Sequence, residues 1–191
     1  MKLANRGHHR LFFALDFEDD FKQQLHGWSI NQPIDGRRVD LENLHLTLLF
    51  LGSIKNHQVY DIIDNVELPE IPAFDISVQK TGYFPKQEIL FCEISEGEQE
   101  VMHISRVLSN SMQQLKGHRE KKRFVPHITL ARDAKPPVDF PITPTLSTRI
   151  DRFCLMESIQ VKSGIHYETV ESWPLKTMSE KEIILGRSLD G

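Results

Sequence analysis

The chain has 191 residues and a mass of 22.2 kDa, enough to bury a core without disulfide or metal staples. Hydrophobic residues make up 39% and charged residues 26%; this excludes wholesale disorder, and no run approaches the ~18 apolar residues of a membrane span. A net charge of −4 excludes a protein that coats long nucleic acid with a positive surface, but it is compatible with one small anionic group at a focused site. The first ten residues lack the apolar core of a signal peptide, so the chain is expected in the cytoplasm. Cys92 and Cys154 lie in apolar, strand-like runs and read as reduced core thiols; without a CxxC pair no zinc site is expected.

Residues 11–15 read as a short buried strand, with Asp16 placed to cap a following helix. Phe17, Phe21, Leu25 and Trp28, at steps of four, four and three, mark one helical face. A loop at 31–36 leads to a strand at 44–51 closed by Gly52. Val59, Ile62, Ile63 and Val66 give a second helix, broken by Pro69 and Pro72. Phe74, Ile76 and Val78 alternate as in a half-buried strand, and Gly82-Tyr83-Phe84-Pro85 reads as a turn with exposed aromatics. A strand at 88–94 precedes a third helix, whose inner stripe (Val101, Ile104, Leu108, Met112, Leu115) is core packing rather than a cofactor box. A basic run at 118–123, a strand at 126–131, a proline-punctuated loop at 136–144 and two strands at 149–161 and 165–173 follow. The expected organisation is one domain over 1–176 and a tail at 177–191, either a short helix or a frayed end.

The order strand, amphipathic helix, strand occurs near 11–51 and again near 88–131, and both second strands carry one signature: His45-Leu46-Thr47-Leu48 and His127-Ile128-Thr129-Leu130. The repeat distance is too long for a solenoid and suits two related lobes. Composition alone gives roughly 0.06 such matches per chain, so two copies in matching settings are a signal where one would not be. In a strand, side chains alternate between faces. His45 and Thr47 therefore share one face, and His127 and Thr129 share another, with an imidazole and a hydroxyl ~7 Å apart on each strand. A cleft between the strands would hold two imidazoles and two hydroxyls.

One neutral imidazole takes a proton from water, one imidazolium gives a proton to a leaving oxygen, and threonine hydroxyls donate to anionic oxygens. The set suits hydrolysis of a phosphodiester with no metal and no cofactor. Spacing does not say which histidine is acid and which is base. The other histidines (His8, His9, His26, His57, His103, His118, His166) have no partnered threonine and read as surface or packing residues.

These motifs, with Arg10-Leu11-Phe12-Phe13-Ala14-Leu15-Asp16, Asn43-Leu44 before His45, Gly82-Tyr83-Phe84-Pro85 and Ala131-Arg132-Asp133, resemble the 2H phosphoesterases, and among them the LigT-like RNA 2′,3′-cyclic phosphodiesterase branch. The resemblance implies an α+β fold of two pseudo-symmetric lobes, their antiparallel sheets flanking a central cleft and helices outside. It implies hydrolysis of a terminal 2′,3′-cyclic phosphate to a 2′-phosphate; some relatives join tRNA halves through a 2′–5′ bond in reverse. His45 would be the proton donor and His127 the proton acceptor, with Thr47 and Thr129 on the phosphate oxygens. Arg132 falls where the branch carries an arginine; strand parity puts it opposite His127 unless a bulge redirects it, so it reads as either a phosphate ligand or a surface ion-pair partner. Phe50 and Phe84 are candidates to stack on a terminal base, Phe50 reading first as core, and Tyr167 matches a tyrosine of the family's last strand. The basic run at 118–123 either guides an RNA backbone or is a solvated loop. Expected partners are RNA 3′ ends or small nucleotides bearing a 2′,3′-cyclic phosphate, with no metal and no membrane, the chain acting as a monomer. Two other readings stay open: a phosphodiesterase for 2′–5′ linkages or small cyclic nucleotides, and an RNA-end binding module without turnover.

Overall fold

The computed structural model describes residues 7–116, 124–137, 139, 145–162 and 164–176. The basic run at 118–123, the side chain of Leu115, much of the proline loop and the tail from 177 lie outside the described residues. In chain order the elements are β1 (His8–Asp16), α1 (Asp19–Ile30), β2 (Arg37–Arg38), a 3-10 turn (Leu41–Asn43), β3 (His45–Lys55), α2 (Asn56–Asp64), β4 (Phe74–Phe84), β5 (Ile89–Glu96), α3 (Glu98–Lys116), β6 (His127–Arg132), β7 (Leu146–Ile150), β8 (Arg152–Val161) and β9 (Gly164–Pro174). The strands run β7-β4-β5-β6-β3-β1-β8-β9, with β2 paired to β6, and the sheet curls into a half-barrel.

The two expected lobes are the halves of that path, β3-β1-β8-β9 and β6-β5-β4-β7. Each half begins at the middle with the strand that carries a His–Thr motif, reached through a helix from its own neighbour: β1–α1–β3 and β5–α3–β6. Their sheets are continuous rather than separate, because Leu46 pairs with Ile128 across an antiparallel seam. Both of these side chains are fully buried in the core beneath, which also takes Phe21 and Leu25 of α1, Val59 and Ile62 of α2, and Val101, Ile104 and Leu108 of α3. A second cluster, Phe12, Ala14, Cys154 and Met156, covers the opposite face of β1. Strand β1 is thus buried on both faces, which is why it reads as an unbroken apolar run instead of an alternating one.

Several expectations are corrected. Asp16 does not cap α1: it accepts the Phe17 N–H at 3.0 Å and pairs with the buried Lys22 ammonium at 2.5 Å, while the helix begins at Asp19 behind Glu18. Gly52 does not end its strand; with φ at 74° it sits inside β3, in the left-handed region that glycine enters at no steric cost, where the register with β1 slips by one residue. Gly82-Tyr83-Phe84 is not a turn but the end of β4; Tyr83 and Phe84 are half-buried, and the Tyr83 hydroxyl donates to the Ala134 carbonyl at 2.7 Å. The strand expected at 149–161 breaks at Asp151, because β7 pairs with β4 in one half and β8 with β1 in the other. Both cysteines are buried and free, as expected.

Candidate active site

The seam fixes the geometry of the two motifs. Leu44, Leu46 and Leu48 point into the core from β3 and its approach, as do Ile128 and Leu130 from β6, so His45, Thr47, His127 and Thr129 all face the concave side. Extending the antiparallel register by one residue either way sets His45 across from Thr129 and Thr47 across from His127. Residues so opposed have Cβ atoms about 5 Å apart. The four side chains form a square with an approximate two-fold axis through the Leu46–Ile128 pair.

Both imidazoles are held the same way. His45 Nδ1 lies 2.7 Å from the Asn43 carbonyl and His127 Nδ1 2.7 Å from the Val125 carbonyl, two residues upstream in each case. A carbonyl only accepts, so each Nδ1 carries the proton and each Nε2 is left to receive or deliver one at the cleft. At His45 the Thr47 hydroxyl sits 2.9 Å from Nε2. Burial lowers the His45 pKa to about 4, against the Asn43 hydrogen bond; Arg132 and His127 push it down further and Asp16 pushes it up. Burial also lowers His127, opposed by its bond to Val125 and reinforced by Arg132. Both rings are therefore neutral near pH 7.

Just past each motif the strand carries a bulge. On β6, Thr129 pairs with Phe91 and Ala131 with Leu90, so Leu130 is the extra residue; on β3, Thr47 pairs with Ala14 and Leu49 with Phe13, leaving Leu48 extra. The extra residue inverts the alternation. Arg132 is thereby turned to the cleft face, and so is Phe50, each five residues beyond its histidine. Phe50 is 57% exposed with its ring 5.9 Å from Phe12, which corrects its reading as core. Arg132 lines a cleft of about 480 Å³ together with His45, Thr129, Tyr167, Arg37 and Arg38. Thr47 and His127 are outside that lining, on the same face one strand repeat away. Arg37 pairs with Arg132 in register; like charges directly opposite are unfavourable, and such a pair suits an anion. Arg37 also bonds Asp133 at 3.0 Å, and Arg38 donates to the Gln32 carbonyl at 2.7 Å.

Aromatic rings brace each imidazole. Phe12 lies 5.1 Å from the His45 ring and Tyr167 meets it edge-on at 4.8 Å. In the other half, Phe84 meets His127 edge-on at 5.0 Å, Phe91 lies 5.3 Å from it, and Phe84 stacks on Phe91 at 4.2 Å. Gly82 permits that stack: a Cβ there would overlap the Phe91 ring. Arg132 and Tyr167 thus line the cleft with His45 and Thr129, Phe50 is exposed outside that lining against Phe12, and Phe84 has one face already covered by Phe91. Arg37, Arg38, Asn43 and Phe12 were not anticipated. The first two lie on a two-residue strand too short to show a period, and Asn43, though it stands just before a motif, carries no local sign of its distant partners. Of the other histidines, His9 is fully buried between Glu157 (2.9 Å) and Asn56 (3.3 Å), a packing role. Burial pushes the Cys154 thiol up to about 12 and raises Cys92 as well, so neither offers a thiolate. Among the described residues, no three His, Cys, Asp or Glu side chains gather as metal ligands.

A half-barrel of antiparallel strands with paired His–Thr strands at its centre defines a LigT-like α+β fold. The chain belongs to the 2′-5′ RNA ligase superfamily, whose family model matches residues 17–161. It is 25% identical over 169 residues to an RNA 2′,3′-cyclic phosphodiesterase of Escherichia coli (strain K12), covering 87% of this chain and 96% of that one. A protein of the same name from Thermotoga maritima is 26% identical over 177 residues, covering 84% and 92%. Among solved structures, E. coli LigT complexed with 3′-AMP superposes with a TM-score of 0.80 at 25% identity, over 90% of this chain and 99% of that one.

Proposed function

We propose that this protein hydrolyses the terminal 2′,3′-cyclic phosphate of RNA to a 2′-phosphomonoester, with His45 as proton donor and His127 as proton acceptor. The observation that carries this reading is that two imidazoles on adjoining strands, both on the concave face, each commit Nδ1 to the backbone carbonyl two residues upstream, which leaves both Nε2 atoms for proton transfer. The names of the relatives and the 3′-AMP bound by E. coli LigT point to the same substrate class.

The cyclic phosphate brings one negative charge to Arg132. That offsets the Arg132 part of what lowers both pKa values, burial being the larger part, and favours a protonated imidazole, which on this reading is His45. His127 Nε2 takes a proton from water as the water oxygen bonds to phosphorus. The P–O3′ bond breaks, and the proton on His45 Nε2 passes to the leaving 3′ oxygen. The products are a 2′-phosphate and a 3′-hydroxyl, with the imidazole protonation states exchanged. Water arrives from solvent, which favours the more open His127 ring as base; the leaving oxygen departs inside the cleft, which favours His45 as acid. Thr47 and Thr129 donate to the non-bridging oxygens, and Phe50 and Tyr167 offer ring faces to the terminal base. If a 5′-hydroxyl of a second RNA end replaces water, the same step forms a 2′–5′ linkage.

The two imidazoles supply both proton transfers, so turnover of RNA ending in a 2′,3′-cyclic phosphate should persist in excess EDTA and yield the 2′-phosphate. No turnover, or a 3′-phosphate product, overturns the proposal.

A further inference from the structure

We infer that Asn43 is a positioning residue of this site, holding the edge strand β9 against the start of β3 so that Tyr167 is seated on the His45 ring. The inference rests on the function proposed above for its catalytic meaning, though not for its geometry.

Asn43 closes the 3-10 turn before β3 and is only 8% exposed. It uses three polar groups at once. Its backbone carbonyl takes the His45 Nδ1 proton at 2.7 Å. Its side-chain Nδ2 donates to the Ile165 carbonyl at 2.8 Å, and its Oδ1 accepts the Tyr167 N–H at 3.2 Å. The orientation of the amide is unambiguous, since a flipped group would face a donor with a donor and a carbonyl with a carbonyl. The two groups it meets on β9 are the neighbouring N–H and C=O of the edge not paired to β8, so one amide stands in for the next strand of the sheet. β9 ends the sheet path three strands away from β3, yet this amide ties the two together and closes the curl of the half-barrel over the cleft. The Tyr167 ring then packs edge-on against His45 and edge-on against Phe12, 5.1 Å away.

Among the described residues the other half has no such clamp. The residue two before His127 is Val125, 40% exposed, which gives its carbonyl to Nδ1 but has no side-chain group to hold a strand. The ionisable groups acting on His45 come from β1 (Asp16) and β6 (Arg132 and His127). Removing the uncharged Asn43 amide takes no charge from His45; it acts through how closely the ring is covered and, if the turn shifts, through the Asn43 carbonyl bond, whose loss would lower the pKa.

The test is NMR titration of isotopically labelled histidines in the full chain, on wild type, Asn43→Ala and Asn43→Ser, with steady-state kinetics on a cyclic-phosphate RNA beside it. Serine keeps a polar group at the position but is one bond shorter, so it restores the tie to β9 only in part. Asn43→Ala should move the His45 midpoint upward toward 6.5 and leave His127 in place. The acidic limb of the kcat/KM profile should follow, and kcat should fall about tenfold or more with KM within about threefold. Asn43→Ser should fall between Asn43→Ala and wild type on each measure. A folded Asn43→Ala whose His45 midpoint and ring-current shifts match wild type overturns the inference. Should Asn43→Ala fail to fold, the serine variant decides by the same midpoint. Wild type without turnover, but with the His45 midpoint shifted in the variants, would overturn the proposed function and leave the clamp standing.

Discussion

The two halves of the molecule present the same motif in different surroundings. In the half built on β3, the imidazole is covered by Phe12 and Tyr167, its Nε2 is engaged by Thr47, and an asparagine ties down the strand that carries its cover. In the half built on β6, the imidazole leans on Phe84 and Phe91, its carbonyl partner is on an exposed residue, and an arginine stands where the first half has a phenylalanine. Position five past the histidine is Phe50 in one half and Arg132 in the other, both turned to the cleft by the same kind of bulge. Duplicated geometry thus sets two imidazoles on the same concave face of adjoining strands, in unequal shells. Under the proposed function, the first half would offer a covered ring and an aromatic face to a nucleoside, and the second charge to a phosphate and access to water.

Replacing either histidine tests whether both halves do chemistry. His45→Ala and His127→Ala should each lower kcat/KM by about 10³-fold or more, since each removes one of two proton transfers. A variant that stays folded and keeps near wild-type turnover would show that its half only binds. The threonines should cost less, about 10²-fold each for a lost donor to the phosphate. They should also differ: Thr47→Val removes the partner of His45 Nε2 and alters the His45 titration, whereas Thr129→Val should leave both histidine midpoints where they are. Arg132→Met reaches both halves, because Arg132 lowers the pKa of each ring. Without it both midpoints rise, and the kcat/KM profile should move to higher pH on both limbs while its peak falls. A profile that keeps its position would mean that burial alone sets the two values.

The sequence shows the motif faces because strand alternation needs only local parity, and four buried aliphatic neighbours confirm the parity from the other side: Leu46, Leu48, Ile128 and Leu130 are all in the core. Parity alone misplaces Phe50 and Arg132 for one reason, and for Arg132 the bulge left open above is what redirects it. A bulge is specified by the partner strand, and nothing in Leu48-Leu49 or Leu130-Ala131 marks an extra residue. Counting in twos from His45 puts Phe50 in the core, and counting from His127 puts Arg132 on the back. The crossing at Asp151 is hidden likewise, because β7 and β8 have similar composition and only their partners in different halves separate them. Asn43 was legible as a residue before a motif but not as a clamp, since its partners lie 122 and 124 positions away.

The smallest expected effect bears on the half that is better covered. His45 has a folded-state pKa near 4 against an ordinary 6.5. Between those values the unfolded chain binds a proton that the folded chain refuses, so folding stability rises with pH across this window and is lost as pH falls from about 6.5 toward 4. His127 is shifted the same way, with less cover to sustain it. His45→Gln, which keeps a polar side chain and removes the titration, should therefore flatten the decline of Tm on acidification more than His127→Gln does. Melting curves of the two variants and wild type between pH 7 and pH 4.5 measure the difference. Equal flattening would mean that the two shells exclude water to the same degree and that their asymmetry is confined to the polar contacts.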